Sequence, residues 1–166
     1  MKHAFLILIL SAFGPSSWAD KIAYIDLQKA VQDTSAGKKA KESLDAEYKK
    51  RKDGLDKQKA EIEKKGQELE KKKSVMSEQV LQKKQMELQQ EMMAFQKSVN
   101  ENQVEIQKKQ DELLAPIIDK LKKVTEKLVT EKQITVVMEK REQTIFVGAK
   151  DADITDDVVK KFETEK

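Results

Sequence analysis

Apolar residues fall seven apart along the first half of the chain: Tyr48, Leu55, Ile62, Leu69 and Met76. A seven-residue period belongs to a helix that lays one stripe along a partner helix. No proline interrupts residues 38–114, where lysine, glutamate and glutamine predominate. Beyond Ser74 and Ser77 comes a second stripe: Leu81, Leu88, Met92, Phe95, Val99, Ile106 and Leu113. Its spacings again mark one helical face. Together the stripes predict a long antiparallel helical hairpin with its turn near 74–80. A first limb of about 48 residues, from about Gln28 to the mid-seventies, would reach roughly 70 Å at ~1.5 Å per residue.

The seam of this hairpin is thin. Its second position is polar in every heptad (Arg51, Gln58, Lys65 and Lys72). Glu47, Glu61 and Glu68 flank it on one side and Lys52, Lys59 and Lys73 on the other, the charge dressing of a two-helix coil. Gly54 and Gly66 each cost about 1 kcal/mol against alanine inside a helix. The pattern predicts an arm that holds together and bends easily.

The ends of the chain change character. Lys21 to Leu27 (KIAYIDL) reads as a short strand. Pro116 should kink the returning helix or start a new one, because it cannot donate to the helix ladder and clashes with the preceding turn. Ile117, Leu121, Val124 and Leu128, with Ile118 and Val129 beside them, form an apolar face wide enough to cover a sheet. Ile134 to Met138 and Thr144 to Val147 read as the strands of a hairpin. Asp153 or Thr155 can cap a last helix, with acids in its first turn and Val158, Val159 and Phe162 inward. The expected fold is α+β: an arm at 36–111 projecting from a small β-rich body at 20–35 plus 112–166. A body of about 70 residues buries little surface alone, so self-association is expected to stabilise it.

Residues 1–19 read as a signal peptide. Lys2 and His3 precede the apolar run Ala4 to Leu10, then Gly14 and Pro15, with Ser17 and Ala19 as small residues before cleavage between Ala19 and Asp20. The run is short of the ~20 residues needed to span a bilayer; a retained anchor is the alternative reading. Removing the segment takes the one histidine (His3) and the one tryptophan (Trp18), and the sequence has no cysteine. That leaves no thiol nucleophile, no imidazole base and no Cys or His ligands for zinc. Without Lys2, 32 basic residues face 30 acidic ones, a balance that disfavours a purely electrostatic nucleic-acid binder. The remaining glycines (Gly37, Gly54, Gly66 and Gly148) cannot build a phosphate-binding loop, and no cofactor is expected. Asp156 and Asp157 fall where a helix N-terminus favours acids, so no enzyme is expected.

Three stretches resemble one family, the Skp/OmpH-type periplasmic chaperones. KIAYIDLQKAV (21–31) is similar to its opening strand and helix start. LLAPIIDKLKKVTEK (113–127) follows the charged hairpin with a boundary proline, and ITVVMEKREQTIFVGAKDADITDDVVKKF (134–162) resembles its closing hairpin and terminal helix. The resemblance implies a homotrimer whose bodies join in a β-barrel and whose arms enclose a cavity. It further implies an ATP-independent holdase for unfolded outer-membrane β-barrel proteins, located in the periplasm.

Two surfaces are candidates for the work. Val75, Met76, Val80, Met86, Met92 and Met93 gather near the turn, and flexible, polarizable methionine suits varied apolar partners. In the predicted register Met76 and Met92 fill the seam, while Met86 and Met93 lie off it. Residues 57–84 hold nine lysines against five acids, and Lys71, Lys72, Lys73, Lys83 and Lys84 form a basic tip. Such a tip would attract acidic client segments, lipopolysaccharide or anionic lipid. The rival readings are a structural spacer or adaptor between envelope components, and a lipopolysaccharide- or anionic-lipid-binding protein.

Overall fold

The computed structural model describes residues 21–165, apart from Glu142 and Phe146. The predicted signal peptide and its Ala19–Asp20 cleavage site lie outside the described residues. The elements run β1 (Ile22–Ile25), α1 (Leu27–Asp33), α2 (Ser35–Lys72), α3 (Glu78–Lys132), β2 (Val136–Glu139) and α4 (Thr155–Thr164). A 3-10 turn, Lys73–Val75, joins α2 to α3, within a residue of the expected turn. At 38 and 55 residues, α2 and α3 extend about 57 and 80 Å.

The first limb is not one helix from Gln28. It breaks at Thr34, whose backbone is extended (φ −68°, ψ 149°). The buried Thr34 hydroxyl donates to the Val31 carbonyl (2.8 Å) and accepts from the Gly37 N–H (3.0 Å). One side chain thus closes α1 and opens α2. Glu163 of α4 reinforces the corner, accepting from the Ser35 N–H at 2.6 Å and the Ser35 hydroxyl at 2.8 Å. These bonds hold its carboxyl below the usual carboxylate range.

Pro116, expected to kink or restart the helix, lies inside α3, which continues to Lys132. The residues beyond it explain the continuity: Ile117, Leu121, Val124 and Leu128 are all buried. At ~1.5–3 kcal/mol each, their burial exceeds the ~3 kcal/mol cost of a proline in a helix. Arm and body therefore share one helix instead of meeting at a joint.

That helix also decides the sheet. The predicted hairpin does not form among the described residues. β2 pairs in parallel with β1, in the register Ile22↔Val136, Ala23↔Val137, Tyr24↔Met138 and Ile25↔Glu139. The final turns of α3 carry the chain to the start of β1, where Lys21 Nζ donates to the Lys132 carbonyl (3.0 Å) and the Thr135 N–H to the Lys21 carbonyl (2.8 Å). From there β2 can only run beside β1 in the same direction, with the whole arm as the crossover. Thr144 is held in a turn by its hydroxyl, bonded to the Glu139 carbonyl at 2.8 Å; Phe146 of the same predicted strand lies outside the described residues. The other edge of β1 is taken by the Ile154 N–H, which donates to the Tyr24 carbonyl (3.0 Å). Among the described residues the body is accordingly helical around a two-stranded sheet and not β-rich.

Ala23, Ile25, Ala30, Ala40, Leu121, Val124, Val158 and Phe162 form one core with the apolar face of α3. Lys120 Nζ sits 4.3 Å from the centre of the Phe162 ring. At the start of α4, Asp153 accepts from the Thr155 N–H (2.9 Å), so the capping acid predicted there does its work from just outside the helix. The Thr155 hydroxyl accepts from the Asp26 N–H (2.9 Å) and so ties α4 to the end of β1.

From residue 41 to residue 116 no residue is fully buried. Local opening of the arm should therefore cost far less than unfolding the body. Open space surrounds a Cβ built on Gly54, and one on Gly66 would sit 3.7 Å from Leu88 Cδ2, an ordinary contact. Replacing both by alanine should stabilise the arm by roughly 1 kcal/mol per site through helix propensity. Hydrogen exchange over residues 45–105 should slow, while protection at 117–139 stays the same; an unchanged arm would show that glycine is not what loosens it.

Candidate functional site

The arm is a two-helix surface whose chemistry differs from side to side. At 3.6 residues per turn, the half-buried residues of α2 (Leu44, Arg51, Leu55, Ile62, Gly66 and Leu69) fall on one face. On α3 the facing set is Leu81, Leu88, Phe95, Val99, Asn102, Ile106 and Leu113. Two predicted members of the seam are not in it. Tyr48 is 60% exposed and Met92 57% exposed. At these two levels polar partners bridge the limbs instead. Beside Tyr48, Arg51 bonds Glu47 through Nε (2.6 Å) and Asn102 through a terminal nitrogen (3.0 Å). Beside Met92, Lys65 reaches Glu91 (2.5 Å). Both bridges use seam positions that the sequence marked as polar. Their partners, Asn102 and Glu91, carried no signal until the limbs were brought together.

At the tip, Met76 is half-buried and shares a cleft of about 330 Å³ with Leu69 and Leu88. Val75 and Val80 are exposed on either side of the turn. Met86 (55%) and Met93 (59%) are exposed and seven residues apart, off the seam as expected. The structure thus brings Met76 together with seam residues and leaves the other five predicted contact residues in solvent. Sequence reasoning overlooked Val104, which is 65% exposed. It stands eleven residues after Met93, three helical turns on, and that spacing was the available signal.

The five lysines of the tip divide. Lys84 pairs with Glu87 (2.8 Å) and Lys73 with Glu70. The Lys84 ammonium, through that hydrogen bond, holds the Glu87 carboxyl below its usual range. Among the described residues, Lys71, Lys72 and Lys83 make no salt bridge. The tip therefore presents unneutralised positive charge alongside exposed apolar side chains.

Among the described residues no cluster of three or more His, Cys, Asp or Glu could hold a metal ion. No described helix is long and apolar enough to cross a membrane. What the arm offers chemically is an extended surface for weak, repeated contacts.

In the body, the sheet face turned away from the core is partly open: Tyr24 is buried there, its hydroxyl donating to the Ala149 carbonyl (3.3 Å). Ile22, Val136 and Met138 are exposed there, and among the described residues β2 has a strand neighbour on one side only.

The family described as outer membrane protein (OmpH-like) matches residues 21–162. A solved structure from Caulobacter crescentus CB15, described as a candidate outer membrane chaperone (OmpH-like), superposes with a TM-score of 0.75 at 18% identity. The match covers 90% of this chain and 86% of that one, and at this identity it is a likeness of fold. No curated protein matches the sequence.

Proposed function

The chain belongs to the OmpH-like outer membrane protein family, and from that premise we propose that it is an ATP-independent holdase of the periplasm. It binds unfolded outer-membrane β-barrel proteins between helical arms and keeps them from aggregating before membrane insertion. One observation carries this reading. The arm spans residues 41–116 without one fully buried residue, yet exposes methionine and valine along its length. A spacer would be expected to close such a seam. A surface that re-packs around clients of no fixed shape needs it open.

The proposed assembly is a homotrimer. Exposed Ile22, Val136 and Met138, beside an edge of β2 that has no strand neighbour among the described residues, support it, because such an apolar patch and strand edge are what another copy can cover. The export signal read at residues 1–19 supports the compartment.

The test is aggregation of an outer-membrane protein diluted from urea, with and without this chain and without nucleotide. Light scattering should fall to near baseline at a small molar excess of chaperone. Scattering that is unchanged without nucleotide would remove the holdase reading.

A further inference from the structure

The outward faces of the two limbs are chemically unlike. On α3, opposite the seam, stand Met86, Met93 and Val104 with Gln82, Gln90 and Asn100 between them, all exposed. The charges on this face are Lys83, Lys97 and Glu101, all exposed, and Lys97 pairs with Glu101 at 3.6 Å. The equivalent face of α2 carries Lys49, Asp53, Lys57, Lys64 and Lys71, all exposed. Because the seam lies between the limbs, these faces look in opposite directions, that of α3 mostly uncharged and that of α2 mostly charged, with Ala46, Ala60 and Gln67 between its charges. Neither thioether nor amide stripe is needed for the coil, whose contacts lie on the other side of α3.

Resting on the holdase reading, we propose that the outward face of α3 is the side of the arm that grips clients, and that the outward face of α2 is turned to solvent. The occupant is an unfolded, extended β-barrel segment. Such a segment carries backbone N–H and C=O groups with no sheet partner, and each glutamine or asparagine offers both donors and an acceptor to them. Its apolar side chains alternate with polar ones, and Met86, Met93 and Val104 give them separated, adaptable contacts instead of a continuous hydrophobic strip. Charge decides between the faces. Lysines and aspartate on α2 lose strong hydration if a client covers them, whereas amides and thioethers lose far less. With Lys97 paired to Glu101, the α3 stripe offers one unpaired cation among the described residues, Lys83, which makes it a poor match for an anionic lipid surface that needs clustered free cations.

A photo-cross-linking amino acid, placed singly, tests this in the full protein. The α3 positions are Met86, Met93 and Val104; the α2 positions are Lys49, Lys57 and Lys64. All six are exposed and off the seam, so the coil tolerates each change. With a urea-unfolded outer-membrane β-barrel as probe, the α3 positions should give about fivefold or more cross-linked client than the α2 positions, the ratio set by ~1 kcal/mol of preference. Equal or greater yield from α2, in protein that still suppresses aggregation, overturns the assignment of the gripping face and leaves the holdase reading intact. Cross-links between copies of the chain at the α3 positions, at the expense of client, also overturn it by making the stripe a self-association face. Absence of aggregation suppression in the unsubstituted protein overturns both.

Discussion

Gly37→Ala should destabilise the protein by on the order of 3–5 kcal/mol, at the upper end of what single substitutions do. A Cβ at this position would lie 1.7 Å from the Val31 carbonyl oxygen and 2.8 Å from its carbon. The obstacle is backbone, so no side-chain rotation relieves it. Either the corner between α1 and α2 opens, and Thr34 loses the bonds that close it, or α2 shifts and withdraws the buried Ala40 from the core. For a domain whose whole stability is roughly 5–15 kcal/mol, that loss leaves a large unfolded population. Urea denaturation followed by circular dichroism should show a lower midpoint with little change in slope. Gly54→Ala, in open space, should move the midpoint slightly the other way. A loss below about 1 kcal/mol at position 37 would mean that the corner at Thr34 adapts freely and does not fix how α2 leaves α1.

Changing Met86 and Met93 together to glutamine should weaken client holding about tenfold, equivalent to ~1.4 kcal/mol, with helix content and oligomeric mass unchanged. Both side chains are exposed, and glutamine is as good a helix former as methionine. The change removes adaptable apolar contact and leaves the coil alone. Reversing Lys71, Lys72, Lys73, Lys83 and Lys84 to glutamate should act differently. Charge at the tip raises the encounter rate and is screened over a Debye length of ~8 Å at physiological salt. That variant should bind more slowly and with less salt dependence, yet release clients at nearly the parental rate. Stopped-flow fluorescence with a labelled, unfolded outer-membrane protein separates the two effects. Methionine variants that hold as well as the parent, beside lysine variants that fail at every salt concentration, would transfer the function from apolar grip to basic tip.

Much of the arm was legible along the chain. The heptad series Leu55, Ile62 and Leu69 faces its partner helix, and the turn falls at Lys73–Val75. The off-seam position of Met86 and Met93 followed from the register alone, because helix periodicity is a local property that fixes which residues share a face. The apolar run from Ile117 to Leu128 and the inward Val158 and Phe162 were readable for the same reason. At Tyr48 and Met92 the same logic failed. Both hold the right heptad position, but seam closure at those levels depends on Arg51–Asn102 and Lys65–Glu91, pairs separated by 51 and 26 residues.

A charged helical hairpin on a small apolar body, and the apolar faces of its helices, are written in the local order of residues. The wiring of the body depends on packing between distant parts of the chain. Pro116 stays inside α3 because burial of the four residues beyond it outweighs the lost hydrogen bond. That unbroken helix carries the chain the length of the body, so β2 runs parallel to β1 and, among the described residues, a turn at Thr144 stands in place of the predicted hairpin. Gly37 likewise shows its necessity only when Val31 stands against it. Periodicity, caps and turn residues act within a few positions of the chain. The direction of a strand and the opening of a seam are set by which distant surfaces can be buried together, and no local pattern encodes that.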